Sequence, residues 1–496
     1  MEKFDLIVIG GGPAGFAAAM RAIDFGKKVC LIEKDLVGGT GLYNGALSSK
    51  TLWEISTKVY EVNRFTSNMR SEAFYLSWNE IQMTLEEALF ERKFHYSCHL
   101  KLLQSKLNQG SFAFKRGFGY LLSKNEIRIT HNEYQEVIYG EHIILSTGSK
   151  PRIVKDIPVD NKYILTSDSI EHIIDYPKSL VIIGAGVIGC EYATIFSNFG
   201  KTKVYIIDRK DRILPFEDED VSAVVSRNLR AKGVTIHSES TLERIEVIDN
   251  EVEYELSYTN GTREVIRVEK ALLSVGRTPN LEHLGLENAG VMLSTKGAYV
   301  EDGETVTNVS NIFAVGDLTG RIALVNMAEI EARYTVEKIF SAHPRPLDYD
   351  NICTIMFLQP EVALVGKNEQ QCIAENIPIK VVKLDFSMIS RAIAMRRTEG
   401  FFKIIVTNDA EMRILGMRAV GEHASSAIQA IGLLIKMNAP IETIAELIHP
   451  HPSIVEGIQE CVRMLLNRSI FKPVIFQDKM QVYSIQNGEK KVHAYL

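Results

Sequence analysis

The chain is poor in cysteine, and none of it is arranged for metal or disulfide chemistry. Its six cysteines are Cys30, Cys98, Cys190, Cys353, Cys372 and Cys461. No two stand at CxxC or CxxxxC spacing, which argues against a zinc ribbon and a disulfide framework, so no metal is expected. Scattered free thiols fit a reducing compartment, and a cytoplasmic location is expected. There is no basic excess either. The formal net charge is −6, whereas nucleic-acid binders are usually basic, so no nucleic-acid partner is expected. Adjacent bases such as Arg396 and Arg397 read as solvated surface. No apolar run reaches the roughly 18–20 residues of a membrane span. The short apolar run at 6–9 passes at once into glycines 10–12 and has no basic leader. It reads as a first strand and not as a signal peptide. Pro-rich and low-complexity linkers are missing too.

What is present is ordinary globular material: 496 residues, 46% hydrophobic and 24% charged. At roughly 100–200 residues per domain, that length predicts about three domains. The strongest organisational signal is an internal echo. Residues 4–34 (FDLIVIGGGPAGFAAAMRAIDFGKKVCLIEK) and 178–210 (KSLVIIGAGVIGCEYATIFSNFGKTKVYIIDRK) each read as strand, glycine turn, helix and a second strand ending in an acid. That is a βαβ unit, and two of them imply two nucleotide sites. Residues 51–110 carry helical periodicity and read as an excursion within the first domain. From about 350, strands flank helices in an α+β pattern.

In the first unit Gly10, Gly12 and Gly15 stand at GxGxxG spacing, and Glu33 ends the following strand. The first glycine permits the tight turn, the second lets backbone approach a pyrophosphate, and the third lets helix pack on sheet. The helix N-terminus offers N–H groups to phosphate, and the acid accepts from ribose hydroxyls. Gly184, Gly186 and Gly189 repeat the pattern, with Asp208 as the acid and Arg209, Lys210 and Arg212 after it. Asp208 favours NAD, while the bases could cradle the extra phosphate of NADP. The balance of these residues leans to NAD.

These features resemble the pyridine nucleotide–disulfide oxidoreductases, among them dihydrolipoyl dehydrogenase and soluble transhydrogenase. The resemblance runs over residues 4–470. It rests on GGGPAG with Glu33, STGSKP at 146–151, GAGVIGCEYA at 184–193, GRTPN at 276–280 and IFAVGD at 312–317. It implies an α/β fold of two Rossmann-like nucleotide-binding domains, one for FAD and one for NAD(P), plus a C-terminal α+β dimerisation domain. The implied bounds are 1–152 and 277–347 for FAD, with the helical excursion at 51–110, then 153–276 for NAD(P) and 348–470 for dimerisation. Residues 471–496 are left as a tail. The resemblance implies FAD contacts from Gly10, Gly12, Gly15, Glu33, Thr40, Lys50, Thr147, Gly148, Gly316 and Asp317. It implies NAD(P) contacts from Gly184, Gly186, Gly189, Asp208, Arg209 and Gly276. A homodimer is expected.

One stretch departs from the family. Its redox-active run holds two cysteines separated by four residues, and here residues 38–50 read GGTGLYNGALSSK. Gly41 and Ala46 occupy the two cysteine positions, and Ser48 replaces the usual proline. Thiol–disulfide exchange through protein sulfur needs an attacking and a resolving thiol, which glycine and alanine do not supply. Lys50 survives at the position that pairs, by resemblance, with Glu191 beside the flavin. His451 and Glu456 survive at the spacing of the family's catalytic base. That dyad reads as a proton donor to an acceptor, an interface contact or a remnant.

The expectation is therefore an FAD-dependent NAD(P)H oxidoreductase, acting on NAD(P)H and not of the sulfur-substrate type. Hydride would pass through flavin to a small-molecule, non-disulfide acceptor such as a quinone, stacked where the two substitutions remove bulk. A soluble NAD(P) transhydrogenase is the first alternative and a low-turnover redox-sensing flavoprotein the second. Dihydrolipoyl dehydrogenase activity is expected to be absent.

Overall fold

Strand Glu2–Ile9 becomes the centre of a sheet because its inner half, residues 6–9, is apolar throughout and buried. It pairs in parallel with Val29–Glu33 on one side and Tyr134–Leu145 on the other, Leu6 lying opposite Val29 and His142. The full order is Phe112–Arg116, Val29–Glu33, Glu2–Ile9, Tyr134–Leu145, Glu126–His131, Phe118–Leu121, and Ile312–Ala314 also pairs with Tyr134–Leu145. Helix Pro13–Asp24 packs on this sheet through Ala14, Ala18 and Ala22, small residues that let Ala328 and Ala332 of helix Val325–Phe340 close over it. A short antiparallel pair, Ser149–Pro151 with Arg277–Pro279, joins two of the sequence motifs.

This computed structural model describes residues 1–496 except 68–71, 108–110, 295–304, 350, 446 and 494–496. Its contacts divide the chain into one unit of Met1–Ile55, Ala73–Tyr176 and Leu272–Leu347, and another of Ser56–Glu72, Pro177–Ala271 and Asp348–Leu496. The helical excursion forms as Ala46–Thr66 and Trp78–Lys106. The second helix starts on a capping box, in which Glu80 N donates to Ser77 Oγ and Glu80 Oε2 accepts from Ser77 N. The excursion does not stay in the first domain as expected, because residues 56–72 belong to the second unit. Helical periodicity fixes a helix but not the unit against which each turn packs.

In the second unit, strands Thr235–His237, Lys203–Ile207 and Ser179–Ile183 lie side by side in parallel. Strands Ser240–Ile248, Glu251–Tyr258 and Arg263–Val268 form an antiparallel ladder. The C-terminal part is a seven-stranded sheet. Its order is Thr354–Met356, Val362–Gly366, Ile414–Val420, Phe401–Thr407, Ile379–Asp385, Met480–Gln486, Glu489–Val492. Helices Ala424–Lys436 and Glu456–Leu465 share its core cluster. The expected tail from 471 is thus not separate over its described residues, 471–493, since Met480–Gln486 pairs antiparallel with Ile379–Asp385. Its short, polar-flanked strands carry no signal of their own until a partner edge is in place.

Buried charge ties this second unit together. Arg418 Nε donates to Glu217 Oε2 at 3.0 Å, and its Nη1 donates to the carbonyls of Val365, Gly366 and Lys367. Lys403 meets Asp218, Asp220 and Glu369. Burial pushes the Asp220 carboxyl up, but Lys403 and Lys383 outweigh it and hold the group at about 2.

Candidate functional site

Each βαβ unit ends in the same construction. Strand Glu2–Ile9 turns at Gly10, whose φ is +105°, and a Cβ there would lie 2.4 Å from the Ser146 carbonyl oxygen. Helix Pro13–Asp24 begins after Gly12, which caps it with no side-chain hydrogen bond. A Cβ on Gly12 would meet nothing within 4 Å, so the approach to these helix N–H groups is open. Gly15 is closed, because a Cβ there would fall 1.8 Å from the Gly10 carbonyl oxygen. Glu33 is fixed by Gly11 N donating to Oε2 at 2.7 Å and Asp35 N donating to Oε1 at 2.8 Å. Each oxygen keeps a lone pair for a hydroxyl donor.

The second unit repeats this. Gly184 has φ +105°, Gly186 caps helix Val187–Phe199 with open space at its Cβ direction, and Gly189 is buried in the helix. Asp208 accepts from Ala185 N at 2.8 Å and from Lys210 N at 2.9 Å. Of the bases that follow, Arg209 and Lys210 are exposed. Arg212 bonds Glu219 and the carbonyls of Pro215 and Glu217. Gly276, expected with this group, lies instead in the unit that carries the first βαβ motif, and it has open space at its Cβ direction. Uncapped N–H groups, open glycines and an anchored acid fit the pyrophosphate and ribose of a dinucleotide at both places.

The motifs of the first unit are wired to one another. Asn280 N donates to the Gly148 carbonyl at 2.9 Å, and Thr147 Oγ1 donates to the Asn280 carbonyl at 2.7 Å. Ser149 Oγ donates to Asp317 Oδ2 at 2.6 Å, and Arg277 Nε donates to Ser149 Oγ at 2.8 Å. Arg277 Nη1 lies 3.6 Å from Asp168, whose carboxyl burial pushes up against the pull of that guanidinium. The Gly316 N–H donates to the buried Glu331 Oε2 at 2.9 Å, which holds the turn carrying Asp317. Ser149, Arg277, Asp168 and Glu331 were not picked out from sequence. Ser149 and Arg277 lie inside quoted motifs, whereas Asp168 and Glu331 had no signal.

The cysteine-less segment is rebuilt, not hollowed. Thr40 and Gly41 lie on the short helix Gly39–Leu42. A Cβ at Gly41 would come within 2.5 Å of Pro13 Cγ and 3.6 Å of Val325 Cγ2. The expected gain of room at this position is therefore absent, because proline and valine stand where the side chain would be. Helix Ala46–Thr66 starts at Ala46. Ser48 Oγ donates to Glu171 Oε1 at 2.7 Å and accepts from Gly45 N at 2.9 Å, and both Ser48 and Glu171 are buried. Lys50 is half-buried, and its Nζ donates to Ser49 Oγ at 3.3 Å.

Glu191 is buried on helix Val187–Phe199 and accepts from Phe357 N at 3.0 Å. It belongs to the second unit and Lys50 to the first. His451 and Glu456 do meet: the His451 Nδ1 and Glu456 Oε1 atoms are 2.7 Å apart, and Ser453 N donates to Glu456 Oε2 at 2.8 Å. Burial raises the Glu456 carboxyl, but the Ser453 N–H and the histidine ring outweigh that and hold it below the usual range. The His451 side chain is 70% exposed, so the ring edge away from Glu456 is accessible.

The comparisons with known proteins agree on family. Residues 4–332 match the pyridine nucleotide-disulphide oxidoreductase family, and residues 352–462 match its dimerisation domain, which supports a homodimer. The chain is 32% identical over 478 residues to a dihydrolipoyl dehydrogenase of Chlamydia trachomatis, covering 95% of this chain and 99% of that one. It is 32% identical over 468 residues to the dihydrolipoyl dehydrogenase of Geobacillus stearothermophilus, covering 94% and 97%. Among solved structures it resembles the HOCl-induced flavoprotein disulfide reductase RclA of Escherichia coli in its Cu(II) complex. That match has a TM-score of 0.83 and 25% identity, covering 94% of this chain and 100% of that one. LpdA of Mycobacterium tuberculosis shares the fold, with a TM-score of 0.84 at 22% identity, covering 94% and 100%. No helix among the described residues is long and apolar enough to cross a membrane.

These relatives overturn the expected non-disulfide acceptor and with it the transhydrogenase and redox-sensing alternatives. The named relatives are dihydrolipoyl dehydrogenases and a disulfide reductase, matched over nearly the whole chain. The earlier expectation assumed that protein sulfur is the only sulfur able to take part, and the loss of two cysteines says nothing about sulfur on a substrate. The chain belongs to the pyridine nucleotide–disulphide oxidoreductase family and is an FAD-dependent NAD(P)H oxidoreductase.

Proposed function

We propose that the chain exchanges electrons between NAD(H) and a small dithiol–disulfide substrate, and that the substrate brings both sulfurs. The observation that carries this reading is the His451–Glu456 pair, 2.7 Å apart and fixed by the Ser453 N–H. With Glu456 holding Nδ1–H, Nε2 is the basic nitrogen, suited to take the proton of a substrate thiol. In the oxidising direction the dithiol loses two electrons and two protons and its S–S bond forms: one proton goes to His451 Nε2, and the other leaves with the electron pair as the hydride equivalent that NAD+ finally takes. When bound, FAD supplies the ring that stores the electron pair between dithiol and nicotinamide. Gly10, Gly12, Gly15 and Glu33 hold one dinucleotide, and Thr40, Thr147, Gly148, Gly316 and Asp317 of the same unit contribute to that site. Gly184, Gly186, Gly189, Asp208 and Arg209 hold the nicotinamide cofactor. Lys50, in the same unit as Gly10 and Glu33, places charge near the flavin.

Asp208, carrying two backbone hydrogen bonds and no basic partner among the described residues, supports NAD over NADP. Its neighbour Arg212 is already committed to Glu219. Cys30, Cys190 and Cys461 are fully buried, and burial pushes each thiol up, so none offers an accessible thiolate. All six cysteines are free, which supports a reducing, cytoplasmic setting.

The test is anaerobic mixing of the FAD-loaded protein with dihydrolipoamide while flavin absorbance is recorded. Bleaching is expected, followed by recovery when NAD+ is added. His451→Gln should slow bleaching by about 10²–10⁴-fold and leave bleaching by NADH unchanged. If NADH bleaches the flavin and small dithiols never do, the reading is wrong.

A further inference from the structure

Within the second unit lies a cavity of about 170 Å³ that no part of the proposed chemistry uses. Tyr60 and Arg64 reach it from helix Ala46–Thr66, Gln359 and Pro360 from a loop, and Arg396 and Arg397 from a second loop. Its charges are unequal. Three guanidiniums line it against two carboxylates, Glu399 and Glu422. Arg397 is already paired with Glu61 at 2.6 Å, and burial pushes the Glu422 carboxyl up, toward its neutral form. Arg64 donates to the Arg396 backbone carbonyl, while the Arg396 guanidinium makes no hydrogen bond or ion pair among the described residues. Arg396 is held at φ +57°, the left-handed region that disfavours a side chain. That conformation closes helix Ser390–Ala394, with Arg396 N donating to the Ile393 carbonyl and Arg397 N to the Ala392 carbonyl, and so fixes where the Arg396 side chain leaves the loop.

Behind this wall sits Lys232. Its Nζ donates to Asn198 Oδ1 and to Gln359 Oε1 at 3.0 Å, and lies 4.2 Å from the Tyr60 ring centroid. Among the described residues its close partners are two amides and a ring face, and it makes no ion pair. Gln359 and Tyr60 both line the cavity, so the amine reaches the cavity wall through them.

We propose that this cavity binds a small divalent oxyanion, gripped by the Arg64 and Arg396 guanidiniums and favoured by the Lys232 amine behind them. Guanidinium forks suit the planar or tetrahedral oxygens of a carboxylate or phosphate-type group. The volume admits a group of a few heavy atoms and excludes a nucleotide. The proposal is independent of the dithiol reading, because no residue of the cavity belongs to that machinery.

Binding should move a proton. Burial lowers the Lys232 amine to about 7, and only the charge of Glu399 pulls it back up. The other charged or titratable groups around the cavity are Tyr60 and Arg64 on the helix, Arg396 and Arg397 on the loop with Glu61 paired to Arg397, and Glu422. An incoming dianion favours the ammonium, so the site takes up a proton as it fills. Affinity should therefore fall as pH rises above about 7. The same shift makes folding stability rise with pH between about 7 and the ordinary lysine range, since there the unfolded chain binds the extra proton.

The experiment titrates the FAD-loaded full chain with sulfate and, separately, malonate at constant ionic strength, by calorimetry in two buffers of different ionisation heat. One saturable site per chain is expected, with proton uptake near neutral pH and affinity weakening by up to about tenfold per pH unit above it. Preference for sulfate points to a phosphate-type ligand and preference for malonate to a dicarboxylate. Lys232→Met should fold, since it removes an unpaired buried charge, and should abolish the proton uptake. Arg396→Gly keeps the left-handed backbone and should weaken binding about tenfold or more. No saturable binding of either probe overturns the proposal. So does binding whose affinity and proton uptake are unchanged in both variants.

Discussion

The two βαβ units are built on one plan and differ at one pair of positions. In both, the acid at the end of the second strand accepts from the N–H just after the first glycine and from the N–H two residues beyond itself. The first unit uses Glu33 and has Gly11 at the facing position, and the second uses Asp208 and has Ala185 there. The reason is length. A Cβ at position 11 would lie 3.1 Å from Glu33 Cβ and 3.2 Å from Oε2, so alanine there would require the longer acid to give by a few tenths of an ångström. The shorter aspartate leaves space, and a fully buried Ala185 fills it. Acid and facing residue are a matched pair, which neither motif reveals when read alone.

The comparison breaks most severely at Gly15. Its Cβ direction runs into backbone at 1.8 Å, where nothing flexible yields. Gly15→Ala should cost more than about 4 kcal/mol and abolish flavin retention, read by thermal melting and by the ratio of flavin to protein absorbance. Gly12→Ala, into open space, should keep the melting temperature and lose only flavin affinity. Next come the acids. Glu33→Gln should weaken flavin binding and leave NADH affinity alone, and Asp208→Asn should do the reverse. Each should cost about 1–3 kcal/mol, measured as dissociation constants of the two nucleotides. Comparable losses of both nucleotides in each variant would show that the units do not bind separately. The finest test is the matched pair itself. Asp208→Glu should overpack against Ala185 and cost about 1–2 kcal/mol, and adding Ala185→Gly should recover most of it. If the second change worsens the first, the length argument fails.

Much of this was legible before any coordinates. Glycine spacing, the strand before it and the acid after it are local consequences of a turn that must pass close to phosphate, so they survive as pattern. The loss of protein sulfur at Gly41 and Ala46 was equally plain. Its consequence was not: Pro13 and Val325 occupy the direction a side chain at 41 would take, and those residues lie far away in sequence. The buried Ser48–Glu171 bond was invisible for the same reason, since 123 positions separate its partners. Arg396 and Arg397 look like any solvated basic pair until the fold sets them beside Tyr60 and Gln359.

Sequence alone determined the two nucleotide units, the intact acids, the His451–Glu456 spacing and the absent cysteine pair. Each is set by backbone geometry or by the chemistry of residues close along the chain. Only the tertiary structure decided which helix turns belong to which unit, that the last strands complete the C-terminal sheet, and that Lys232 sits buried between the amides of Asn198 and Gln359. Those outcomes depend on long-range packing, where burial and electrostatics act between groups that no short stretch of sequence brings together.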